Sequence, residues 1–388
     1  MNEAALAGKR IIDLTRVVAG PFCTQMLADH GAEVIKVEPP QGDETRKLGP
    51  PFVEGTAAYF GGLNRNKLGV ALDLAKPEAR EALLRLLRDA DVLIENFLPG
   101  TMEKWGLGYE TVLAPRFPRL VYCRISGFGT TGPLGNLPGY DAVLQAMCGL
   151  MSVNGDEHSG PTRVGVPIID LATGLSAAFG ILLALAERER SGRGQLVDCS
   201  LYDTAVSLLH PHAANWFASG VTPKLTGSAH PSISPYEKFA ARGGEIFLGV
   251  VNDGQFAKLC RCIGREDLLA DARFSRNGPR LEHRTQLRRE LANALAQEEA
   301  GALCERLMAA GVPAGRVHSV PQALQHPHTV ARDMVVEKDG YQGLGVAVKL
   351  SRTPGNVRRT PPRFSADTRE VLLAAGVSED EIRKLAGE

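Results

Sequence analysis

Asp170 is the carboxylate whose sequence context most favours covalent chemistry. It follows the apolar segment 165–169 (GVPII) and begins the longest apolar stretch with helical spacing. Asp is a favoured N-cap residue, worth about 1 kcal/mol over Ala, so helix capping is the simpler interpretation. The two roles are compatible, because free N–H groups at a helix start keep a carboxylate ionised while an apolar approach limits its hydration. Such a carboxylate can attack a thioester or another activated acyl group.

Asp141 and the pair Asn96-Phe97 are further candidates for a functional site. Asp141 has the same capping alternative as Asp170. The segment 91–100 (DVLIENFLPG) predicts a strand that leads into Asn96-Phe97 and a Pro-Gly turn, with Lys104 just beyond. An amide and a ring at the carboxyl edge of a sheet can hold and flank a purine. An ordinary turn with one core aromatic is the simpler interpretation of this segment.

Residues 127–132 (GFGTTG) match the pattern GxGxxG directly after a predicted strand. A dinucleotide site needs such a loop to run into a helix whose N-terminus holds the pyrophosphate. Here Pro133, Gly135 and Pro138 follow, so no helix is expected to start. We therefore interpret the segment as a flexible glycine-rich loop, which can lie over a ligand, rather than as a nucleotide fingerprint.

Motifs of metal and hydrolytic sites are missing from the sequence. It contains no GxxxxGK[ST], HExxH or GxSxG pattern, and its nine histidines lack metal-ligand spacing. His210 and His212 flank Pro211, and such a pair on a proline-broken segment is poor ligand geometry. We expect no metal site, and a zinc enzyme or an α/β-hydrolase is disfavoured.

The composition is that of a soluble globular protein whose acidic and basic residues balance. The chain has 388 residues, 44 Lys+Arg against 44 Asp+Glu, and 42 glycines. At about 150 residues per domain, this length predicts two to three domains. No basic or acidic run suggests nucleic acid or an anionic membrane as a partner.

The seven cysteines form no CxxC pair, and the N-terminal segment has no apolar signal-peptide core. The most apolar stretch, 171–186, has 16 residues, short of the roughly 18–20 that span a bilayer. We expect a reduced, cytoplasmic protein without a membrane partner.

The first 125 residues alternate between strand and helix patterns, which predicts an α/β fold with an open, doubly wound parallel sheet. The predicted strands are 10–14, 33–38, 68–72, 91–97 and 120–126, with helices at 20–30 and 77–90. Helices at 140–151 and 170–190, a strand at 195–200 and a helix to about 219 follow.

The rest of the chain has a different organisation. We predict a linker at 220–236, since it is rich in Pro and Gly, and a smaller α+β domain at 237–320. That domain begins with a hairpin at 239–251 around Arg242-Gly243-Gly244 and continues with helices at 254–263, 282–296 and 298–310. In the tail, 334–338 and 346–350 are predicted strands before a closing helix.

Motifs over most of the chain resemble the family III CoA-transferases, which include formyl-CoA, carnitine and dicarboxylate transferases and the α-methylacyl-CoA racemases. The matches run from about residue 8 to at least 255. They are 13–21 (DLTRVVAGP), 31–38 (GAEVIKVE), 64–67 (NRNK), 72–73 (LD), 95–97 (ENF), 99–100 (PG), 127–129 (GFG), 132–133 (GP), Asp170 with 173–174 (TG), 187–194 (ERERSGRG), 197–198 (VD), 230–232 (HPS), 235–236 (PY) and 252–255 (NDGQ).

The resemblance implies a large domain built from both chain ends, 1–219 and 321–388, with the smaller domain inserted between two linkers. It also implies an interlocked homodimer. Asp170 falls on the family's nucleophile, which trades one CoA thioester for another through aspartyl anhydride and aspartyl-CoA intermediates, with no permanently bound cofactor. The substrates implied are an acyl-CoA and a carboxylate.

The resemblance also implies a binding surface for CoA. Arg46 is an additional proposal for a phosphate contact, and the glycine loop is expected to close over substrate through Gly127, Gly129 and Tyr140. Lys76 is a second such proposal for a phosphate contact. The positions that the resemblance implies for contact with CoA are Arg16, Val17, Ala19, Leu72, Asn96, Phe97 and Lys104.

Departures from the family pattern narrow the expected activity. Tyr140-Asp141 stands where racemases carry His-Asp, so a two-base proton exchange lacks one partner. Val18 and Pro39 stand where formyl-CoA transferases tend to have Gln and a basic residue. The sequence is most similar to dicarboxylate transferases, with succinyl-CoA as the expected donor. An acyl-CoA racemase and a non-catalytic CoA-binding dimer remain as alternatives.

Overall fold

A six-stranded parallel sheet forms the centre of the fold in the computed structural model, which describes residues 4–386. Its strands are β1 (Arg10–Asp13), β2 (Glu33–Glu38), β3 (Lys67–Ala71), β4 (Val92–Glu95), β5 (Val121–Ser126) and β6 (Leu196–Ser200). The order across the sheet is β6-β5-β4-β1-β2-β3, and Ile11 of β1 pairs with Val34 on one side and Val92 on the other. The predicted α/β class and parallel sheet are confirmed.

Most of the helices connect these strands or follow them in the chain. Shorter helical segments occupy Glu44–Lys47, Ala58–Gly61, Leu87–Asp89, Thr101–Lys104, Tyr109–Leu113, Ala114–Arg116, Leu150–Val153, Asp267–Ala270, Ala272–Phe274, Asn277–Glu282, Val320–Leu324 and Pro327–Ala331. The longer helices are α1 (Ala19–Asp29), α2 (Pro77–Leu86), α3 (Asp141–Met147), α4 (Ile168–Ser191), α5 (Leu201–Ser207), α6 (His212–Ser219), α7 (Asp253–Cys262), α8 (Arg284–Leu295), α9 (Ala300–Ala309), α10 (Thr368–Ala374) and α11 (Glu379–Ala386).

Helices cover both faces of the central sheet. Asp13 accepts a hydrogen bond from the Thr24 hydroxyl of α1 at 2.6 Å, so this side chain points to the α1 face. Its neighbour Ile12 belongs instead to the core that contains Leu83 of α2 and Leu372 of α10. Because successive strand residues point to opposite faces, α1 lies on one face and α2 and α10 lie on the other.

The chain divides into two compact units. The first contains the residues up to Cys148, Val164–Leu208 and the chain from Pro327 onward. Its C-terminal part covers the edge strand β3, where the Gly69 N–H donates to the Asp367 carboxylate at 2.7 Å. Both chain ends therefore contribute to this unit.

The second unit contains Gly149–Arg163 and Leu209–His326, built on an antiparallel sheet of β7 (Tyr236–Ala241), β8 (Gly244–Gly249) and β9 (Ala314–Arg316). Helices α7, α8 and α9 contribute Phe256, Leu291 and Leu303 to its core. The sequence-based boundaries differ here, since 149–163 and 209–219 were placed in the large domain. A long-range hydrogen bond from the Gly227 N–H to the Gly155 carbonyl, 2.9 Å, holds the first of these segments within the second unit.

Three sequence-based element predictions were wrong in detail. The helix predicted at 140–151 is interrupted at Gly149, whose φ of +95° is left-handed. The helix predicted to reach 219 is two helices, because Pro211 lies between α5 and α6. In the tail, β10 (Val335–Lys338) pairs with β11 (Tyr341–Leu344) and not with a strand at 346–350, since Asp339 and Gly340 turn the chain early with positive φ.

Helix α4 is the one helix in the described chain that is long and apolar enough to cross a membrane by length and composition. Just under half of that stretch is buried within the protein. One side packs on α1, where Gly174 allows close approach, and the helix also contacts β5 and β6. This packing is typical of a core helix.

Replacement of Gly174 by Ala should lower the free energy of unfolding of the first unit by about 1–3 kcal/mol. A Cβ atom there would lie 2.6 Å from the Ala19 carbonyl oxygen, so α4 would have to move away from α1. At Gly61, a matched control in the same unit, a Cβ atom would meet only Pro361 at 3.9 Å. Thermal or urea unfolding measures both variants, and equal stability losses would contradict the close-approach explanation.

Candidate active site

A cavity of about 320 Å³ lies at the carboxyl ends of β1, β4 and β5. Strands β1 and β4 are neighbours in the sheet, but the chain leaves β1 toward β2 and leaves β4 toward β5, in opposite directions along the sheet. Open α/β sheets bind ligands in the crevice that forms at this switch point. The cavity is lined by Arg16, Val17, Val18, Ala19, Glu44, Asn96, Phe97, Leu98, Pro99, Ile125, Ser126, Gly127, Leu137, Pro138, Gly139, Tyr140, Asp170 and Leu201.

The turns that follow β1 and β4 are joined by a reciprocal pair of hydrogen bonds. The Arg16 N–H donates to the Asn96 side-chain oxygen at 2.8 Å, and the Asn96 amide donates to the Arg16 carbonyl at 2.8 Å. The Arg16 guanidinium lies over the Phe97 ring, 5.2 Å from its centre. The structure therefore brings together Arg16, Asn96 and Phe97, which the sequence had placed 80 residues apart.

Val17 has a left-handed backbone conformation with a φ of +67°. This conformation is rare for a β-branched residue and costs about 1–3 kcal/mol, so it persists only where neighbouring contacts hold it. Val17 and Ala19, both expected to contact substrate, line the cavity on either side of Val18. The turn after β1 thus forms part of the cavity wall in a strained backbone conformation.

Four of the residues that the sequence analysis predicted to contact CoA do not line this cavity. Leu72 is 3% exposed and its side chain packs in the hydrophobic core. Lys76 and Lys104 are exposed to solvent and lie outside the lining. Arg46 is buried, with its guanidinium 2.7 Å from Glu38 and 3.7 Å from the centre of the Phe60 ring. Among the described residues, Arg16 is the one cation in the cavity wall.

The glycine-rich segment folds back on itself beside the cavity. A Cβ atom at Gly127 would lie 2.7 Å from the Gly139 nitrogen, so only glycine allows these two backbones to touch. Gly129 has a φ of +77°, and its N–H donates to the Ser126 hydroxyl at 3.0 Å. The next helix, α3, begins only at Asp141, as expected for a loop that is not a nucleotide fingerprint. Tyr140, 64% exposed, lies at its end.

Asp170 is the third residue of α4 and not its N-cap, which corrects the capping interpretation. The N-cap is Pro167, and the free N–H groups of the first turn are satisfied from another helix. The Asp141 carboxylate accepts from the N–H groups of Ile169 at 2.8 Å and Asp170 at 3.2 Å. Asp141 therefore performs the capping role for α4, while the Asp170 side chain faces the cavity.

The structure also changes the predicted effect of the helix start on the ionisation of Asp170. Burial, and then the charge of Asp141, raise the pKa of Asp170 to about 7. The helix start does not keep Asp170 ionised as predicted, because Asp141 has taken the N–H groups and adds a like charge. A carboxylate that titrates near neutral pH combines a large ionised fraction with higher basicity than a surface Asp, which suits a nucleophile.

Tyr59 lies outside the cavity lining but close enough to Asp170 and Asp141 to interact with their charges, which the sequence did not indicate. Burial and the charges of Asp170 and Asp141 raise the pKa of its phenol, so Tyr59 shares the field of the two carboxylates. It lies on the short helix Ala58–Gly61, more than 80 residues before either carboxylate in the chain. Nothing in its local sequence distinguishes it from a surface tyrosine.

Within residues 4–386, no group of three or more His, Cys, Asp and Glu side chains has an arrangement that could hold a metal ion. The polar side chains that line the cavity are those of Asp170, Glu44, Arg16, Asn96, Ser126 and Tyr140. They include the groups that acyl transfer by a carboxylate nucleophile needs, namely a carboxylate and hydrogen-bond donors.

Comparison with known proteins identifies the family of the chain. A sequence model of CoA-transferase family III matches residues 6–368. The chain is a family III CoA-transferase. Its substrates are therefore CoA thioesters, and the family predicted from the sequence motifs is confirmed.

Relatives of this CoA-transferase are similar over nearly their whole length. The succinate–glutarate CoA-transferase of Agrobacterium fabrum is 38% identical, with 96% of each chain covered. The succinyl-CoA:mesaconate CoA-transferase of Haloarcula hispanica is 39% identical, covering 96% of this chain and 97% of the relative. A CAIB/BAIF family protein from Brucella suis has a similar crystal structure, with a TM-score of 0.87, 38% identity and coverage of 96% and 100%.

Replacement of Asp170 by Asn should stabilise the CoA-transferase at alkaline pH more than at acid pH. The folded pKa of Asp170 is raised to about 7, so its contribution to stability is full below about pH 4, the pKa of an unfolded Asp, and is lost as the pH rises to 7. The Asn variant does not titrate and avoids this loss. Unfolding temperatures of the variant and the wild type, compared at pH 4.5 and pH 8, measure the effect, and a pH-independent difference would contradict the raised pKa.

Proposed function

We propose that this CoA-transferase moves CoA from succinyl-CoA to a short dicarboxylic acid through covalent intermediates on Asp170. The main support is the position of Asp170, whose carboxylate lines the cavity beside the Arg16–Asn96 turn and has a pKa raised to about 7. The relatives from Agrobacterium fabrum and Haloarcula hispanica, which carry succinate or succinyl-CoA in their names, support the donor and the class of acceptor.

The proposed reaction balances without a metal or ATP. The ionised Asp170 attacks the acyl carbon of the donor, which forms a mixed anhydride and releases CoA thiolate. The thiolate then attacks the aspartyl carbonyl, which releases the donor acid and leaves an aspartyl-CoA thioester. The acceptor carboxylate attacks that thioester, which forms a second mixed anhydride and releases the CoA thiolate again. The thiolate finally attacks the acceptor acyl carbon of this anhydride, which forms the acceptor-CoA thioester and regenerates the Asp170 carboxylate.

The CoA moiety is proposed to lie along the switch-point edge of the sheet. Arg16, Val17, Ala19, Asn96 and Phe97 line the cavity and are proposed to contact it directly. The exposed side chains of Lys76 and Lys104 are proposed to meet phosphates beyond the cavity. Because the Leu72 side chain is in the core, this residue can contact CoA only through its backbone. Gly127, Gly129 and Tyr140 are proposed to close over the acyl group.

Loss of the Asp170 carboxylate should abolish transfer. Asp170→Ala should lower kcat at least 1,000-fold with succinyl-CoA and glutarate, because neither anhydride can form. Asp203→Asn, a matched control, changes an exposed carboxylate in the first turn of α5 and should leave kcat within twofold. Peptide mapping after incubation with succinyl-CoA and hydroxylamine should place a hydroxamate on Asp170 of the wild type.

Three outcomes would contradict this mechanism. A folded Asp170→Ala variant with full transfer activity would exclude the nucleophile. Exchange of the α-proton of a 2-methylacyl-CoA in deuterated water, without transfer of CoA, would favour the racemase alternative. Binding of CoA without either reaction would favour a non-catalytic dimer.

The proposed working form is an interlocked homodimer in the cytoplasm. Helix α4 exposes Leu175, Phe179 and Leu183 on one stripe, with 54%, 64% and 55% of each residue accessible to solvent. A contiguous apolar stripe of this kind marks an interaction site, and a second copy of the chain is the proposed partner. The seven cysteines are free, which supports a reducing compartment.

Introduction of a charge into this stripe should disrupt the dimer. Phe179→Glu should shift the mass measured by light scattering after size exclusion from dimer to monomer, because the carboxylate would be buried without a partner. Val320→Glu, a control at an equally exposed apolar residue of the second unit, should remain dimeric. A Phe179→Glu variant that stays fully dimeric would place the interface elsewhere.

A further inference from the structure

Two buried lysines hold the turn that follows β1 at its two ends. Lys36 on β2 and Lys67 on β3 are 0% and 1% exposed. The Lys36 ammonium donates to the carbonyl of Thr15 at 2.8 Å, and the Lys67 ammonium donates to the carbonyl of Pro21 at 3.0 Å. Thr15 and Pro21 flank the cavity-lining segment 16–19, so each lysine fixes the backbone on one side of it.

Each lysine is neutralised by a buried aspartate. Lys36 pairs with Asp43 at 2.9 Å, and Lys67 pairs with Asp13 at 3.0 Å. Although burial opposes it, the charges of Lys67 and Lys36 lower the pKa of Asp13 to about 2. A buried ammonium is strongly disfavoured without such partners. The two aspartates therefore allow the lysines to stay charged and to donate to the carbonyls of Thr15 and Pro21.

Asp13 extends the same network into the turn itself. Its carboxylate accepts from the Thr15 N–H at 2.9 Å and from the Thr15 hydroxyl at 2.5 Å. Gly20 completes the packing, because a Cβ atom there would lie 2.3 Å from the Thr15 side chain. Between these fixed points Val17 is held at its left-handed φ of +67°. The network supplies the external contacts that a strained β-branched residue requires.

We infer that Lys36 and Lys67 are positioning residues for CoA transfer, which hold the strained turn of Val17 against the cavity without touching substrate. This inference rests on the proposed function of the cavity. It assigns a role to the segment 64–67 (NRNK), whose last residue lies outside the cavity lining. A displacement of about 1 Å near the reacting atoms can cost 100-fold in rate, so a loosened turn should affect catalysis well before the fold is lost.

The segment also contains a matched control. Arg65, two residues before Lys67, is 4% exposed and pairs with the buried Asp29 at 2.6 Å. Its side chain also contacts the carbonyl of Leu344 and the Tyr341 side chain, neither of which belongs to the turn after β1. Arg65→Met and Lys67→Met therefore each remove the cation that pairs with a buried aspartate, but only the second removes a hydrogen bond to the segment after β1.

The test compares CoA affinity by calorimetry and kcat/KM for succinyl-CoA at a temperature at which each variant is folded. We expect Lys67→Met to weaken CoA binding and to lower kcat/KM at least tenfold, and Arg65→Met to keep both within twofold despite a similar loss of thermal stability. Equal kinetic effects in the two variants, or unchanged kinetics in a folded Lys67→Met variant, would overturn the inference.

A second variant decides the question if Lys67→Met does not fold. Lys36→Met removes the donor to the Thr15 carbonyl, at the other end of the same segment, and we expect weaker CoA binding at a temperature at which this variant is folded. Unchanged CoA affinity in folded Lys36→Met would overturn the inference. If the wild type binds CoA but does not use succinyl-CoA, the proposed donor fails, and the calorimetric comparison still tests the two lysines.

Discussion

The reciprocal hydrogen bonds between Arg16 and Asn96 join the two strand ends on which the cavity depends. Strands β1 and β4 are adjacent, but their connections run in opposite directions along the sheet, so a crevice opens between the turns that follow them. The Asn96 side chain joins the two turns by bonding to both backbone groups of Arg16. The guanidinium of Arg16 lies over the ring of Phe97, and both residues line the cavity.

The second constraint is the close pairing of two carboxylates at the start of α4. Asp141 accepts the N–H groups of the first helical turn, and its side chain is itself held by the Gln145 amide at 2.6 Å. Asp170 is left with a partly buried carboxyl group, a like charge nearby and a pKa near 7. Asp141 thus stabilises the start of the helix, and the Asp170 carboxylate does not have to cap it.

The charged residues of this protein act through local pairs and not through a net charge. The chain has equal numbers of acidic and basic residues, and several of its cations are committed to buried pairs such as Lys67–Asp13, Lys36–Asp43 and Arg46–Glu38. A phosphorylated substrate is therefore not attracted by a net field of the whole protein. The strain stored at Val17 and the close glycine contact of Gly127 with Gly139 show instead that backbone geometry shapes the site.

The sequence by itself determined the order of elements, the parallel sheet, the family and the identity of Asp170 as the candidate nucleophile. These follow from local patterns, namely strand alternation, helical spacing and short motifs with their glycines. Only the tertiary structure decided which residues meet in the cavity and what charge they have. Asp141 caps a helix through Ile169, which is 28 residues away in the chain. Tyr59 interacts with the charge of Asp141 from another part of the chain. The side chains of Leu72 and Arg46 are buried away from the cavity. Burial and through-space charge cause these effects, and neither quantity can be read from neighbours in sequence.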